Sequence, residues 1–199
     1  MSRLGFHAAI GAFLASVGYG VPQVLQVAGV LPTPLDRILI FAPSLILAPC
    51  FVLALAASYE EAVRPFRVWR LGALAMALLY AGFVSIVYVN QLGVVLPREM
   101  AGQAEGYSLL ACCGFRQPFT VIDLLGYTYM SVATLLLAPT YAGALRWALL
   151  LNGLLAPAIF LQLFWPWLIW LASPWLVLFP LAMLLLALRL RHSAAADSA

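Results

Sequence analysis

An all-α integral membrane protein, a bundle of six transmembrane helices with both termini on the cytoplasmic side, is the fold class this sequence predicts. Three observations predict it. First, of 199 residues 65% are hydrophobic and only 9% are charged, where a soluble domain carries about 25% charged residues. Ten basic and seven acidic residues cannot cover a water-facing surface of this size, and a disordered chain would be poor in apolar residues and rich in charge. Second, the apolar residues fall into six runs of about 20 residues or more, the length a helix needs to cross roughly 30 Å of hydrocarbon. Third, the arginines are asymmetric: with the N-terminus inside, Arg3, Arg64, Arg67, Arg70, Arg146, Arg189 and Arg191 fall on the cytoplasmic side and only Arg37, Arg98 and Arg116 outside, as the positive-inside rule requires. Adding or removing one span would scramble that pattern.

The first span covers residues 6–31. It is too long for a signal-peptide core and further spans follow, so it reads as a membrane helix. Ala8, Gly11, Ala12 and Ala15 give it a small-residue face suited to close helix packing. The second covers residues 38–58, after Pro32, Pro34, Asp36 and Arg37. The third covers residues 71–96, after a connector holding Glu60, Glu61, Arg64, Arg67 and Arg70, which reads as a solvated mixed-charge loop near lipid headgroups. The fourth, fifth and sixth cover residues 121–140, 144–164 and 168–188. Pro43, Pro49, Pro157, Pro174 and Pro180 each remove a backbone hydrogen bond and should kink helices 2, 5 and 6. Asn152 lies one turn before Pro157, where its amide is expected to satisfy backbone groups freed by that proline. Trp69 and Trp147 fall at the inner interface, and Trp165 and Trp167 at the outer one. Residues 1–192 form one six-helix domain on this reading, with residues 193–199 a short flexible tail.

Polar residues inside spans are costly and therefore informative. Helix 1 places Ser16, Tyr19, Gln23 and Gln26 at spacings of three, four and three, which share one face. Helix 3 carries Ser85, Tyr88 and Gln91, with Asn90 beside them. Helix 4 starts its stripe at Asp123 and continues through Tyr127, Ser131 and Thr134. Helix 5 adds Gln162, and helix 6 adds Trp170 and Trp175. The larger amides and the one carboxylate within a span thus gather in the outer half of the membrane. They predict an outward-facing cavity built by helices 1, 3 and 4 with aromatic walls, in which Tyr19, Gln23, Gln26, Tyr88, Asn90, Gln91, Gln162 and Trp170 contact a ligand. The same groups also fit plain interhelical hydrogen bonding, and Asp123 also fits a cap at the start of its helix.

The one long connection, residues 97–118, surrounds an apolar piece from Leu109 to Phe115 with Glu99, Glu105, Tyr107 and Arg116. Connections of this length are usually functional or disordered, and the apolar piece, too short to span, is expected either to rest in the interface or to dip back into the protein as a lid. Its adjacent Cys112 and Cys113 read as interfacial thiols, with an intermolecular bridge or a redox role as the alternatives. Two histidines at opposite ends of the chain and no CxxC spacing argue against a metal site. No nucleotide, hydrolase, haem or diphosphate motif is present, so no cofactor is expected. The net charge of +3 is too dispersed for a nucleic acid partner.

Three functions fit. One is binding of a lipophilic or amphiphilic small molecule in the outer cavity, in the cell membrane. Another is a membrane-embedded enzyme acting on a lipid or isoprenoid, with Asp123 as general acid or base and Tyr127 one turn away. The last is an accessory subunit, or a homo-oligomer, packing its apolar surface against a membrane partner.

Overall fold

The computed structural model describes residues 2–103, 107 and 109–196, and these are helical with no strands among the described residues. Six helices are long and apolar enough to cross a membrane: α1 (Arg3–Val27), α2 (Leu35–Glu60), α3 (Arg64–Met100), α4 (Pro118–Thr140), α5 (Gly143–Leu161) and α6 (Pro166–His192). Each packs against its neighbours in the chain, and α6 returns to pack against α1, so the bundle closes into a ring in sequence order. Its centre is filled by Leu47, Phe51, Tyr80, Met130, Phe179 and Met183, all fully buried.

Small residues bring α1 against its partners, as its sequence predicts. Ala8, Ala9, Ala12 and Ala15 are buried. A Cβ added at Gly5 would lie 2.4 Å from the Ala57 side chain, and one at Gly11 would lie 2.8 Å from Cys50 Sγ. Where α4 crosses α3 the same device recurs, with a Cβ at Gly126 falling 2.9 Å from Val84 Cγ1. That close approach sets Tyr127, the next residue, beside Tyr80 of α3.

Among the helix ends that differ from those the apolar runs suggest, two have a clear backbone cause. α1 stops at Val27 although the apolar run continues to residue 31. Gly29 adopts φ +70°, its N–H donates to the Gln26 carbonyl and that of Val30 to the Leu25 carbonyl, which is the Schellman termination that a glycine favours. α3 instead continues through Pro97, Arg98 and Glu99 to Met100. A widened π-helical turn over Gln91–Val95 precedes Pro97, which accommodates the proline's missing N–H. Gly102, at φ +69°, then ends α3 with the same pair of bonds, Gly102 to Glu99 and Gln103 to Arg98. The charged residues here are tolerated because Arg37 and Glu99 pair across the gap between α2 and α3.

α5 is broken between Gly143–Gly153 and Ala156–Leu161, at Pro157 as expected. Asn152 does not satisfy the backbone freed there. Its Nδ2 donates to Thr134 Oγ1 on α4 at 3.0 Å, because Gly153 brings the two helices so close that a Cβ there would meet the Leu135 backbone at 2.7 Å. α6 is broken before Trp175 at Ser173 and Pro174 and its helix runs on to Ala196. The rest of the expected tail, residues 197–199, lies outside the described residues, as does Glu105 in the long connection.

Candidate functional site

The bundle carries a buried polar cluster near each end. At one end is Arg70. The sequence places it in a solvated connector, but it is buried, because it sits one turn inside α3 and faces the turn joining α4 to α5. Its guanidinium donates to Thr140 Oγ1 at 3.1 Å, to the Thr140 carbonyl at 3.4 Å and to the Ser58 carbonyl at 2.6 Å. It lies 4.6 Å over the Tyr141 ring, whose hydroxyl is 2.9 Å from Ser58 Oγ. Burial holds the Tyr141 phenol above its ordinary value, so it stays neutral in the pair. This node ties α2 and α3 to the end of α4 and the turn that follows it.

The other end is built around Tyr127. Its hydroxyl is 2.8 Å from that of Tyr88 on α3. Its ring stacks on Tyr19 of α1 at 6.3 Å, meets Tyr80 edge-on at 5.7 Å and meets Trp175 of α6 edge-on at 5.1 Å. Trp175 in turn stacks on Phe179 at 5.1 Å and Phe41 on Tyr88 at 5.5 Å. Asp123 lies one turn above Tyr127 on α4, facing Tyr88. It is the sixth residue of its helix, which begins at Pro118 after Gln117, so it is not the cap. Three buried polar atoms in this cluster have no hydrogen-bond partner: Asp123 Oδ1, Tyr80 Oη and Trp175 Nε1. A buried polar atom left so costs about 1–3 kcal/mol. Asp36 Oδ1, Ser131 Oγ and Asn152 Oδ1 are in the same state elsewhere in the bundle, and this cluster is set apart by holding three such atoms on side chains that meet Tyr127 or lie one turn from it.

The structure thus brings Asp123, Tyr127, Tyr88 and Tyr19 together. The amides do other work. Gln91 Nε2 and Asn90 Nδ2 both donate to the Leu110 carbonyl at 2.7 Å, and Gln91 Oε1 accepts the Cys112 N–H at 3.1 Å. They pin the connection between α3 and α4 over this end of the bundle. On the α4 side Thr120 Oγ1 accepts the Cys113 N–H and donates to the Gly114 carbonyl, both at 2.8 Å. Gln26 donates to Asp36 at 2.7 Å and receives Gln23 at 3.5 Å, joining α1 to α2. Gln162 donates to its own helix at Ile159, and Trp170 is exposed.

Tyr80 is the member absent from the polar stripes of the sequence, whereas Trp175 is one of the two tryptophans that the sequence places in the outer half of helix 6. Tyr80 belongs to a buried stripe with Val84, Val87 and Tyr88, at the spacing of a helix face, and the glycine before Tyr127 is the sequence signal for the close crossing that meets it.

An open groove of about 510 Å³ runs between α1 and α6, lined by apolar residues including Val17, Gly20, Val24, Leu176, Pro180 and Leu184. Its wall includes Gly20 and Leu176, the residues next in sequence to Tyr19 and Trp175. Among the described residues no group of three metal-ligating side chains occurs. No known protein family, curated protein or solved structure matches this chain.

Proposed function

We propose that this chain is a six-span protein of the cell membrane, with both termini cytoplasmic, that binds an amphiphilic small molecule at the Asp123 end of the bundle. The observation that carries the reading is the set of three unpartnered buried atoms, Asp123 Oδ1, Tyr80 Oη and Trp175 Nε1, around the Tyr127 ring. Two are donors and one is a carboxyl oxygen, so a head group with both an acceptor and a donor, such as a hydroxyl or an amide, would satisfy them. The apolar groove between α1 and α6, whose Gly20 and Leu176 adjoin Tyr19 and Trp175 in sequence, would take an alkyl or isoprenoid tail. The orientation is supported by the seven arginines that gather at the Arg70 end. The membrane setting is supported by four tryptophans, Trp69, Trp147, Trp165 and Trp167, all exposed.

The test is native mass spectrometry of the protein extracted in its own lipid. Wild-type protein retains a bound amphiphile, and Asp123→Asn combined with Tyr80→Phe reduces retention at least about tenfold, the equivalent of about 1.4 kcal/mol. Equal retention in the two proteins overturns the reading.

A further inference from the structure

The connection that covers the Asp123 end carries the two adjacent cysteines, and its geometry distinguishes them. Cys113 is exposed and adopts φ +82°, in the left-handed region that a side-chain-bearing residue rarely occupies. Cys112 is half-buried on the side facing the bundle. The two backbone amides are held by different helices, Cys112 by Gln91 of α3 and Cys113 by Thr120 of α4. The left-handed turn at Cys113 lies between these anchors, and the two thiols are carried by neighbouring residues. The Cys113 sulfur beside it, together with burial, pushes the Cys112 thiol above the usual thiol range, so Cys112 rests as a protonated thiol. The third cysteine, Cys50, packs between α1 and α2 against Gly11 and takes no part.

We infer that Cys112 and Cys113 form a thiol–disulfide exchange site, with the exposed Cys113 as the attacking thiol and the covered Cys112 as the resolving thiol. The oxidant is a disulfide, either a small molecule or a protein. The Cys113 thiolate attacks one sulfur of that disulfide, forming a mixed disulfide and releasing the first thiolate. Cys112 then attacks the Cys113 sulfur and releases the second thiolate, and its own proton passes to a released thiolate. The proton that Cys113 gives to solvent on forming its thiolate returns to the other released thiolate. Two thiols are thus oxidised to one disulfide, one external disulfide is reduced to two thiols, and two electrons and both protons are accounted for.

Adjacent Cα atoms lie about 3.8 Å apart across a trans peptide, less than the roughly 4.4–6.8 Å of an ordinary disulfide. A bond between neighbours is therefore strained and oxidising. It forms under excess oxidant and is readily given up to another thiol, which suits transfer rather than structural cross-linking. The site stands independently of any amphiphile in the cluster beneath it.

The full-length protein in nanodiscs is reduced, freed of reductant, exposed to oxidised glutathione, quenched with an alkylating maleimide and weighed intact and as peptides. The wild-type peptide holding both cysteines loses the mass of two hydrogen atoms, carries no glutathione and remains monomeric. Cys112→Ser accumulates a stable glutathione adduct on Cys113. Cys113→Ser reacts at least about tenfold more slowly. The inference is overturned by wild-type protein that keeps both thiols, that accumulates the mixed disulfide, or that joins two chains. It is equally overturned if Cys113→Ser is modified at Cys112 as fast as wild-type protein reacts. The wild-type measurement needs no substitution, so a variant that fails to fold leaves it decisive.

Discussion

The two ends of this bundle bury similar chemistry and treat it in opposite ways. At the Arg70 end one cation makes three hydrogen bonds and a cation–π contact, with partners drawn from α2 and from the turn between α4 and α5. At the Asp123 end one carboxyl, four tyrosines and a tryptophan converge, yet Asp123 Oδ1, Tyr80 Oη and Trp175 Nε1 meet no protein partner. Buried polarity alone therefore does not mark a site. What separates the two ends is that three unpartnered atoms gather around one ring at the Asp123 end, whereas single ones such as Asp36 Oδ1 and Asn152 Oδ1 occur in simple interhelical links.

The comparison breaks most visibly at Arg70. Arg70→Ala removes charge-assisted bonds worth about 1.5–3 kcal/mol each and leaves the Thr140 and Ser58 carbonyls buried. We expect a loss of about 3 kcal/mol or more in a denaturant titration in micelles, with amphiphile retention unchanged in the fraction that stays folded. Retention that falls in step with the folded wild-type reference would make Arg70 part of the same functional unit as Asp123.

Next in size is Gly153→Ala. Its Cβ would sit 2.6 Å from Leu135 Cβ and 2.7 Å from backbone atoms, and helix backbones cannot yield as a side chain can. Forcing α4 and α5 apart should cost about 1–3 kcal/mol by overpacking, read as a lower midpoint of thermal unfolding. Both polar ends should keep their behaviour. The midpoint should drop without any change in the labelling rate of Cys113.

A smaller effect is expected from Gln91→Ala, which frees the loop from α3 by removing the bonds to Leu110 and Cys112. A neutral hydrogen bond contributes about 1 kcal/mol net, so stability should fall by no more than about that per bond. The sharper readout is local: maleimide labelling of Cys112 should accelerate severalfold, while that of Cys50 stays as in wild-type protein. Unchanged Cys112 labelling would show that Asn90 and Thr120 suffice to hold the loop.

How much of this was legible in the sequence follows from the range of each signal. The six spans and the small-residue face of α1 rest on hydropathy and spacing, which are local. The meeting of Asp123, Tyr127, Tyr88 and Tyr19 was legible because each lies on a polar stripe of its own helix. The partners of the amides were not. Gln91 and Asn90 are satisfied by the backbone of a loop some twenty residues away, and a side chain's spacing along its helix does not encode that contact. Arg70 looked solvated because its neighbours Arg64 and Arg67 are charged, and only the fold of the turn after α4 encloses it. Tyr80 looks apolar among apolar neighbours, and Trp175 reads as an aromatic wall with no partner implied for its indole N–H. Their single polar atoms acquire meaning only when the ring order of the helices is known.

The smallest stability effect, and the most discriminating, belongs to Tyr80→Phe. Removing a hydroxyl that makes hydrogen bonds destabilises a protein, whereas removing one that is buried without a partner is nearly neutral or stabilising, since its desolvation cost disappears with it. Phenylalanine preserves the ring and hence its edge-on contacts with Phe51 and Tyr127. In protein stripped of lipid, the variant should unfold within about 0.5 kcal/mol of wild type or slightly later, the ordinary range for a substitution that breaks nothing. In protein carrying its co-purified amphiphile, wild type should gain stability by mass action and the variant should gain less. A variant that is destabilised equally with and without lipid would mean that the hydroxyl has a protein partner. The Asp123 end would then be glue of the same kind as the Arg70 end.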